Sequence, residues 1–209
     1  MKEEGQSRAY LWLDTEYSSL DLDHAEVLQL SVLATDAGLN LLLPGDRGLN
    51  LFIRLDTGSK TSDWVRENLP GLIAKCRSPE AVTVEEAAKR LMEYIDHIFG
   101  PPDADIRRRP VLAGNSVHGD WFLMRRFFPA LCERIHYRHL DVTTLKLQWL
   151  DWSCGGTFDK NNRDLVLENL PFPGDKLPAE PHDAYYDIHA SIAELGFYRK
   201  NMLREKGDI

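Results

Sequence analysis

The sequence predicts an α/β protein in which a mixed five-stranded sheet, three antiparallel strands followed by parallel ones, is flanked by helices. Short apolar runs in the first third of the chain follow one another through polar turns, which is typical of antiparallel strands. Apolar runs in the second half alternate with helical patterns, which favours parallel pairing. At 209 residues the chain is long enough for one hydrophobic core, so we expect a single domain over residues 1–209.

The first third contains the three predicted antiparallel strands. Residues 10–13 (YLWL) form an aromatic and aliphatic run of the kind found in buried strands, and residues 27–35 (VLQLSVLAT) form the second. The third covers residues 39–43 and 49–55 and is expected to bend or break at Pro44, because proline donates no hydrogen bond to a sheet.

The strongest helix signal covers residues 84–99. Thr83 and Glu86 form a capping box, and the apolar residues that follow recur at helical spacing as one stripe. Gly100 ends the pattern. A shorter helix is expected over residues 61–68.

Strands and helices alternate in the second half. We expect a strand over residues 110–113, a helix over 118–128, a strand over 140–142 and a helix over 143–149. The last helix is expected over residues 183–204, where apolar residues recur every three or four positions.

Residues 151–180 lack any lasting periodicity. They contain adjacent glycines at 155 and 156 and several prolines. This composition predicts an irregular insertion in the domain.

Composition and charge exclude several classes of protein. With 43% hydrophobic and 28% charged residues and no long apolar stretch, the chain has no predicted membrane span, and residues 1–9 lack the apolar core of a signal peptide. Because that core is missing, we expect the cytoplasm. Three widely spaced cysteines indicate reduced thiols and not a zinc site or a disulfide framework. A net charge of −8 argues against binding long nucleic acid through a broad basic surface, but not against a short one held through metal ions.

Asp14 and Glu16 follow directly on the first predicted strand. Two residues apart in an extended segment, their side chains leave the same face. Converging carboxylates suit a hard divalent cation, although a DxE pair on its own is more often a solvated strand end.

Three further residues fall at predicted element ends. Asp120 opens a helix, where a carboxylate can also be a simple cap. Asp187 lies beside the apolar face of the last helix, where an unpaired charge is costly. His182 lies five residues earlier, an offset that points away from Asp187 in a regular helix, so it must act from the loop or first turn. The alternative is an ordinary surface histidine.

The ordered pattern DxE, D, HxxxxD resembles that of the DEDDh exonucleases, and the resemblance implies a ribonuclease-H-like fold. The related class with a catalytic tyrosine would carry it four residues before Asp187, where this chain has Asp183. At family level, residues 112–120 (LAGNSVHGD), 136–146 (HYRHLDVTTLK) and 182–198 (HDAYYDIHASIAELGFY) resemble the oligoribonuclease family.

The resemblance implies a role for each matching residue. The implied catalytic set is Asp14, Glu16, Asp120, Asp187 and His182. The carboxylates would hold two divalent cations, Mg²⁺ or Mn²⁺, with Asp14 bridging them, and the histidine would be the general base. The reaction would release 5′-mononucleotides from the 3′ end of a very short RNA oligonucleotide.

The resemblance also implies substrate contacts and a homodimer. The implied contacts are Ser116, Arg138 and Thr143 for a 5′ phosphate, and Tyr137 and Arg138 reaching the active site of the partner. Trp64 matches an aromatic residue that packs against a base, although a core tryptophan is the alternative. The family's apolar base wedge is replaced in this chain, and Leu20 is the candidate to serve in its place. A clamp that fits only a terminal phosphate would favour the shortest substrates.

The chain departs from the family pattern near the expected cleft. It reads DTEYSSL where the family usually has DLEMTGL, and the stretch 151–180 is longer than usual. Two alternatives follow: a DEDDh exonuclease of broader length range on RNA or DNA, of the tRNA-trimming or proofreading type, and a catalytically silent RNA-binding module.

Overall fold

The structure is a computed structural model that describes residues 8–56, 58–173, 177 and 182–202. Within these residues the elements are β1 Ala9–Tyr17, β2 Val27–Asp36, β3 Leu49–Phe52, α1 Asp63–Asn68, α2 Pro70–Cys76, α3 Val84–Phe99, β4 Val111–Gly114, α4 Val117–Phe127, α5 Pro129–Cys132, β5 His139–Asp141, α6 Val142–Trp152, α7 Arg163–Asn169 and α8 Ala184–Met202. A short 3-10 helix, Ile106–Arg108, precedes β4. Among the described helices, none combines the length and apolar character needed to cross a membrane.

The five strands form one sheet in the order β3-β2-β1-β4-β5. β1 pairs antiparallel with β2, and β2 with β3, whereas β1 and β4 pair in parallel, as do β4 and β5. The predicted fold class is therefore confirmed. Because the three parallel strands point the same way, the residues that follow β1, β4 and β5 all lie at one edge of the sheet.

Both faces of the sheet are covered. On one face, Leu11 and Leu13 of β1 share a buried cluster with Leu91 of α3 and Leu123 of α4. On the other face, a second cluster joins the sheet to α6 and α8. Alternate residues of β1 thus contact different helices, as the two-residue period of a strand requires.

Helix α8 is buried on more than one side. Ile192 packs with Trp12 of β1, whereas Ala190 packs with Phe158 and Val166, which come from the segment that precedes α8. That segment therefore forms a further layer over α8. Its packing explains why apolar residues surround this helix instead of forming a single stripe.

The third predicted strand is wrong in its first half. Of residues 39–43 and 49–55, only Leu49–Phe52 forms a strand, and Leu41 makes a single bridge to Thr35. Leu39 has a positive φ of 70°, so the extended conformation cannot continue through it.

The segment 151–180 is more regular than predicted. It contains the end of α6 and the whole of α7, which begins where the Asn162 side chain accepts a hydrogen bond from the Leu165 amide and which buries Val166. Residues 174–176 and 178–180 lie outside the described residues. The short helices α2 and α5, each beginning with proline, were also not predicted. The last helix ends at Met202 within the described residues, and positions 203 and 204 lie beyond them.

Candidate active site

Asp14 and Glu16 lie within β1, which continues to Tyr17. They pair with Ser31 and Gln29 of β2, so both remain in regular extended backbone. Their side chains leave the same face as Trp12, the face covered by α8. The alternation of β1 therefore directs both carboxylates toward the start of α8.

The start of α8 is tied to the sheet by Gln29. Its side chain donates to Asp183 at 3.0 Å and accepts from the Ala184 amide at 3.2 Å. Asp183 also accepts a hydrogen bond from the Tyr185 amide and so caps the helix. These contacts hold the first turn of α8 beside Glu16, the residue that pairs with Gln29.

Glu16, His182 and Asp187 converge at this point. Each offers a possible ligand atom, and these atoms lie within 4.8 Å of one another. His182 lies outside α8, is exposed, and has a positive φ of 65°. Its ring meets Trp64 of α1 edge to face, with ring centroids 5.7 Å apart. His182 thus faces Asp187 from the loop, as the five-residue spacing requires.

Asp120 approaches β1 from the opposite face. It lies in the first turn of α4 and is buried. The backbone amide and the hydroxyl of Thr15 both donate to its Oδ1, at 2.9 and 2.6 Å. Sequence reasoning counted Thr15 only as a departure from the family pattern and missed this contact.

Burial raises the pKa of three carboxyl groups, and repulsion from neighbouring carboxylates adds to the shift in two of them, Asp14 and Glu16. Burial and then Asp187 raise the pKa of Glu16 to about 8. Burial and the charges of Asp120 and Asp187 raise the pKa of Asp14 well above its ordinary value. Burial also raises the pKa of Asp120 to about 6, although the hydrogen bonds from Thr15 oppose the shift. A cation that joins carboxyl groups placed in this way favours their charged form, and their oxygens suit a divalent cation.

Lys160 already supplies one positive charge to this group. Its ammonium donates to both carboxylate oxygens of Asp187, at 3.1 and 3.2 Å. Burial lowers the pKa of Lys160, but Asp187, Asp14 and Glu16 more than offset this and raise it. No sequence pattern singled out Lys160, which lies in the segment predicted to be irregular.

Asp14, Glu16, Asp120 and Asp187 are called the acidic group below. A cleft of about 500 Å³ opens beside it. Its lining includes Asp14, Glu16 and Asp187, together with the apolar side chains of Leu20 and Trp64. The two apolar side chains are 87% and 52% exposed, so neither is a core residue. Exposed apolar side chains beside carboxylates suit contact with a nucleobase, which Trp64 can make by stacking.

A second polar group lies at the same edge, where β4 and β5 end. The Ser116 amide donates to Asp141 Oδ1 and to Thr143 Oγ1, both at 2.9 Å, and the Ser116 and Thr143 hydroxyls are 3.2 Å apart. Asn115 accepts from Thr143 and donates to Glu194 of α8, which is fully buried. Ser116 has a positive φ of 52° at the start of α4, so this turn is held in a defined shape.

Tyr137 and Arg138 do not join the other predicted site residues. They precede β5 and so lie at the amino-terminal end of the parallel strands, whereas the acidic group lies at the carboxyl-terminal end. Tyr137 is 58% exposed, stacks on His136 with centroids 4.4 Å apart, and lies under the Arg138 guanidinium at 5.2 Å. Both side chains are thus presented on the surface of this chain, away from its own cleft.

Comparison with known proteins gives concordant results. The family model described as Exonuclease (RNase_T) matches residues 11–195. The mitochondrial oligoribonuclease of Mus musculus is 30% identical over 209 residues, covering 98% of this chain and 78% of that protein. The oligoribonuclease of Francisella tularensis subsp. tularensis is 28% identical over 195 residues, covering 92% and 95%.

A structural comparison supports the same fold. The nuclease domain of 3′hExo, described as a DEDDh family member bound to rAMP, matches with a TM-score of 0.55 at 12% identity and covers 96% of each chain. At this identity the match supports the fold alone.

Proposed function

This chain belongs to the oligoribonuclease family of DEDDh 3′-to-5′ exonucleases, and we propose that it hydrolyses very short oligoribonucleotides, above all dinucleotides with a 5′ phosphate, to 5′-mononucleotides. The proposal includes two divalent cations, Mg²⁺ or Mn²⁺, held by Asp14, Glu16, Asp120 and Asp187. The observation that carries it is the convergence of Glu16, His182 and Asp187 within 4.8 Å.

The donor set fits such cations. Glu16 and Asp187 lie within 4.8 Å of each other, and the charges of Asp120 and Asp187 raise the pKa of Asp14, after burial. A cation at this place would favour the charged form of these carboxyl groups. Bound divalent cations would polarise the scissile phosphate, lower the pKa of the attacking water and stabilise the leaving 3′ oxygen.

His182 is the proposed general base. A water oxygen attacks phosphorus, the bond from phosphorus to the 3′ oxygen breaks, and the water proton passes to a ring nitrogen of His182. The 3′ oxygen leaves with a proton taken from solvent. An exposed histidine in a loop next to Asp187 can deliver this proton to bulk water after each turnover.

The cleft and the second polar group account for the proposed substrate length. Leu20 and Trp64 would contact the bases, and the hydroxyls of Ser116 and Thr143 would bind a 5′ phosphate. If the terminal phosphate is held at a fixed distance from the acidic group, a substrate of matching length binds more tightly than a longer or a shorter one.

Arg138 and Tyr137 enter the proposal through a homodimer. They are exposed beside β5, which is an edge strand. Helix α4, which packs against β5, carries the exposed Phe122, and α6, which follows β5, carries the exposed Leu147. An edge strand flanked by apolar side chains is typical of an interface. Across such an interface these two residues would contact the 5′ phosphate in the cleft of the partner.

We also propose that the chain works in the cytoplasm. Its three cysteines, at positions 76, 132 and 154, are free thiols, as expected in a reducing compartment. Fractionation of cells that express the tagged full chain tests this, and a membrane or organelle fraction would contradict it.

A length series tests the activity. Purified protein with Mn²⁺ is incubated with 5′-phosphorylated RNA of two to about twenty nucleotides and with DNA of the same lengths. We expect the highest kcat/KM on the dinucleotide and a loss of activity in Asp14→Asn. Equal rates across all lengths and on DNA would instead favour an exonuclease of broader range.

Mixed dimers test the partner contribution. Arg138→Ala removes the proposed phosphate contact, and His182→Ala removes the proposed general base. In a heterodimer of the two variants, the cleft of the Arg138→Ala chain keeps its own His182 and receives an intact Arg138 from the other chain. We expect mixing of the two inactive variants to recover a measurable fraction of wild-type activity. Unchanged inactivity in a verified mixed dimer contradicts the proposed role of Arg138.

A silent binding module is tested by calorimetry. The wild-type chain is titrated with Mn²⁺ beside Asp14→Asn. We expect binding that the variant weakens strongly. No heat of binding by the wild type would favour the silent module.

A further inference from the structure

The ammonium of Lys160 occupies a cation position beside the acidic group. Its two hydrogen bonds, 3.1 and 3.2 Å long, engage both carboxylate oxygens of Asp187. The side chain of Asp187 is only 10% exposed and that of Lys160 is 34% exposed. This is therefore a largely enclosed ion pair and not a surface contact.

The backbone of Lys160 is held in place. The Tyr186 hydroxyl donates to the Lys160 carbonyl at 2.6 Å. Phe158, two residues earlier, is buried against Tyr186 and Ala190 of α8. Asn162, two residues later, caps α7. Packed residues before and after Lys160 therefore fix its backbone next to Asp187. Only the lysine side chain has to move for the contact to break.

A divalent cation at Asp187 requires the same oxygens. Such a cation binds carboxylate oxygen at about 2.0–2.6 Å, closer than an ammonium does. An ammonium on both oxygens and a divalent cation on the same carboxylate would repel each other at short range. The flexible four-carbon stem allows the ammonium to swing away while the backbone stays in place.

We propose that Lys160 is a displaceable counter-ion, which competes with a divalent cation for Asp187 and thereby sets the metal concentration at which the site fills. The proposal rests on the proposed function in one respect, that Asp187 is a cation ligand. In the metal-free protein the lysine limits repulsion among the carboxylates, and it gives way when the cation binds. Lys160 would thus tune the metal affinity of the site.

Calorimetry without substrate tests this proposal. Wild type, Lys160→Met and Lys160→Gln are titrated with Mn²⁺ at one pH. We expect both variants to bind Mn²⁺ at least about tenfold more tightly, because no ammonium has to be displaced. Lys160→Arg, which keeps the charge, should bind no more tightly than wild type. Lys89→Met is the matched control, because Lys89 pairs with Glu93 on the surface of α3 at 3.8 Å.

Thermal unfolding gives an independent readout. The metal-free Lys160→Met protein should have a lower Tm than wild type, because its carboxylates have lost their counter-ion, and added Mn²⁺ should raise its Tm by more than it raises that of wild type. Unchanged or weaker Mn²⁺ binding in both neutral variants would overturn the proposal for Lys160 while leaving the nuclease intact. No Mn²⁺ binding by the wild type would overturn both.

Discussion

The Thr15 hydroxyl donates to Asp120 Oδ1 at 2.6 Å, and the Thr15 backbone amide donates to the same oxygen at 2.9 Å. Thr15 lies between Asp14 and Glu16 on β1 and faces the other side of the sheet. This contact joins the DxE pair to an acid on α4, 105 residues away in sequence. It orients Asp120 and favours its charged form, because a hydrogen bond to a carboxylate lowers its pKa.

Replacing Thr15 with valine should weaken metal binding. The variant Thr15→Val keeps the amide contact and loses the hydroxyl, so the pKa of Asp120 should rise further. We expect a loss of about 1–3 kcal/mol in unfolding free energy and a shift of Mn²⁺ binding to higher pH. Thr35→Val is the control: Thr35 accepts a buried hydrogen bond from Trp12, away from the acidic group, so this variant should lose stability only. Equal pH dependence of Mn²⁺ binding in both variants would refute the role of Thr15.

Removal of His182 should affect turnover and not binding. In His182→Ala the carboxylates and the cleft remain, so Mn²⁺ and substrate binding should stay within a few-fold of wild type while kcat falls by roughly two to four orders of magnitude. His97→Ala, an exposed histidine on α3, should behave as wild type. Weakened binding at unchanged kcat would contradict the role of general base.

The metal-free protein should lose stability as pH rises. The pKa of Glu16 is raised from 4.5 to about 8 on folding, so between these values the folded state binds more protons than the unfolded state. The contribution of Glu16 to the free energy of unfolding is fully present below pH 4.5 and is lost as pH rises through 8. The slope from this group is at most about 1.4 kcal/mol per pH unit. Urea unfolding in a chelator at pH 5.5 and 8 checks it.

The variant Glu16→Gln isolates that effect. It removes the titrating group, so its unfolding free energy should fall less between pH 5.5 and 8 than that of wild type. Saturating Mn²⁺ should reverse the wild-type trend, because the cation binds the charged carboxylates. A wild-type slope equal to that of Glu16→Gln would show that Glu16 does not titrate in this range.

If Ser116 and Thr143 bind a 5′ phosphate as proposed, Thr143 should distinguish substrates by their 5′ end. Thr143→Val removes a hydroxyl that lies 3.2 Å from that of Ser116. We expect a rise in KM of about tenfold for the 5′-phosphorylated dinucleotide, since a hydrogen bond to a charged group contributes about 1.5–3 kcal/mol. The unphosphorylated dinucleotide serves as the control, and its KM should change little. An equal rise for both substrates would exclude a specific phosphate contact.

The segment between α6 and α8 should stabilise the fold, in addition to supplying the positive charge of Lys160 to Asp187. Phe158 is 3% exposed, and Phe158→Ala should lower the unfolding free energy by roughly 3–5 kcal/mol. Trp152→Ala is the control, because that side chain is 85% exposed. A negligible effect of Phe158→Ala would mean that the segment is not packed as described, and the anchoring of Lys160 would then fail with it.

Local sequence patterns were sufficient for most elements of the fold. The capping box and apolar stripe placed α3 at Val84–Phe99, and the apolar runs located β1, β2, β4 and β5 to within a few residues. The segments that deviated have weak local signals. Residues 39–43 fail as a strand because Leu39 turns the chain, and α7 was missed because only seven residues and one cap define it.

The sequence by itself determined which groups are the candidates for the chemistry. Asp14, Glu16, Asp120, His182 and Asp187 could be named because each stands at the end or start of a patterned element, and the topology of the sheet then brings those ends to one edge. Only the tertiary structure decided what surrounds them. The contacts of Thr15 with Asp120, Gln29 with Asp183 and Lys160 with Asp187 join residues 105, 154 and 27 positions apart, and no periodicity encodes such pairs. They form because the packing of helices on both faces of β1 brings their side chains within hydrogen-bonding distance in a buried setting, where unpaired charge is costly.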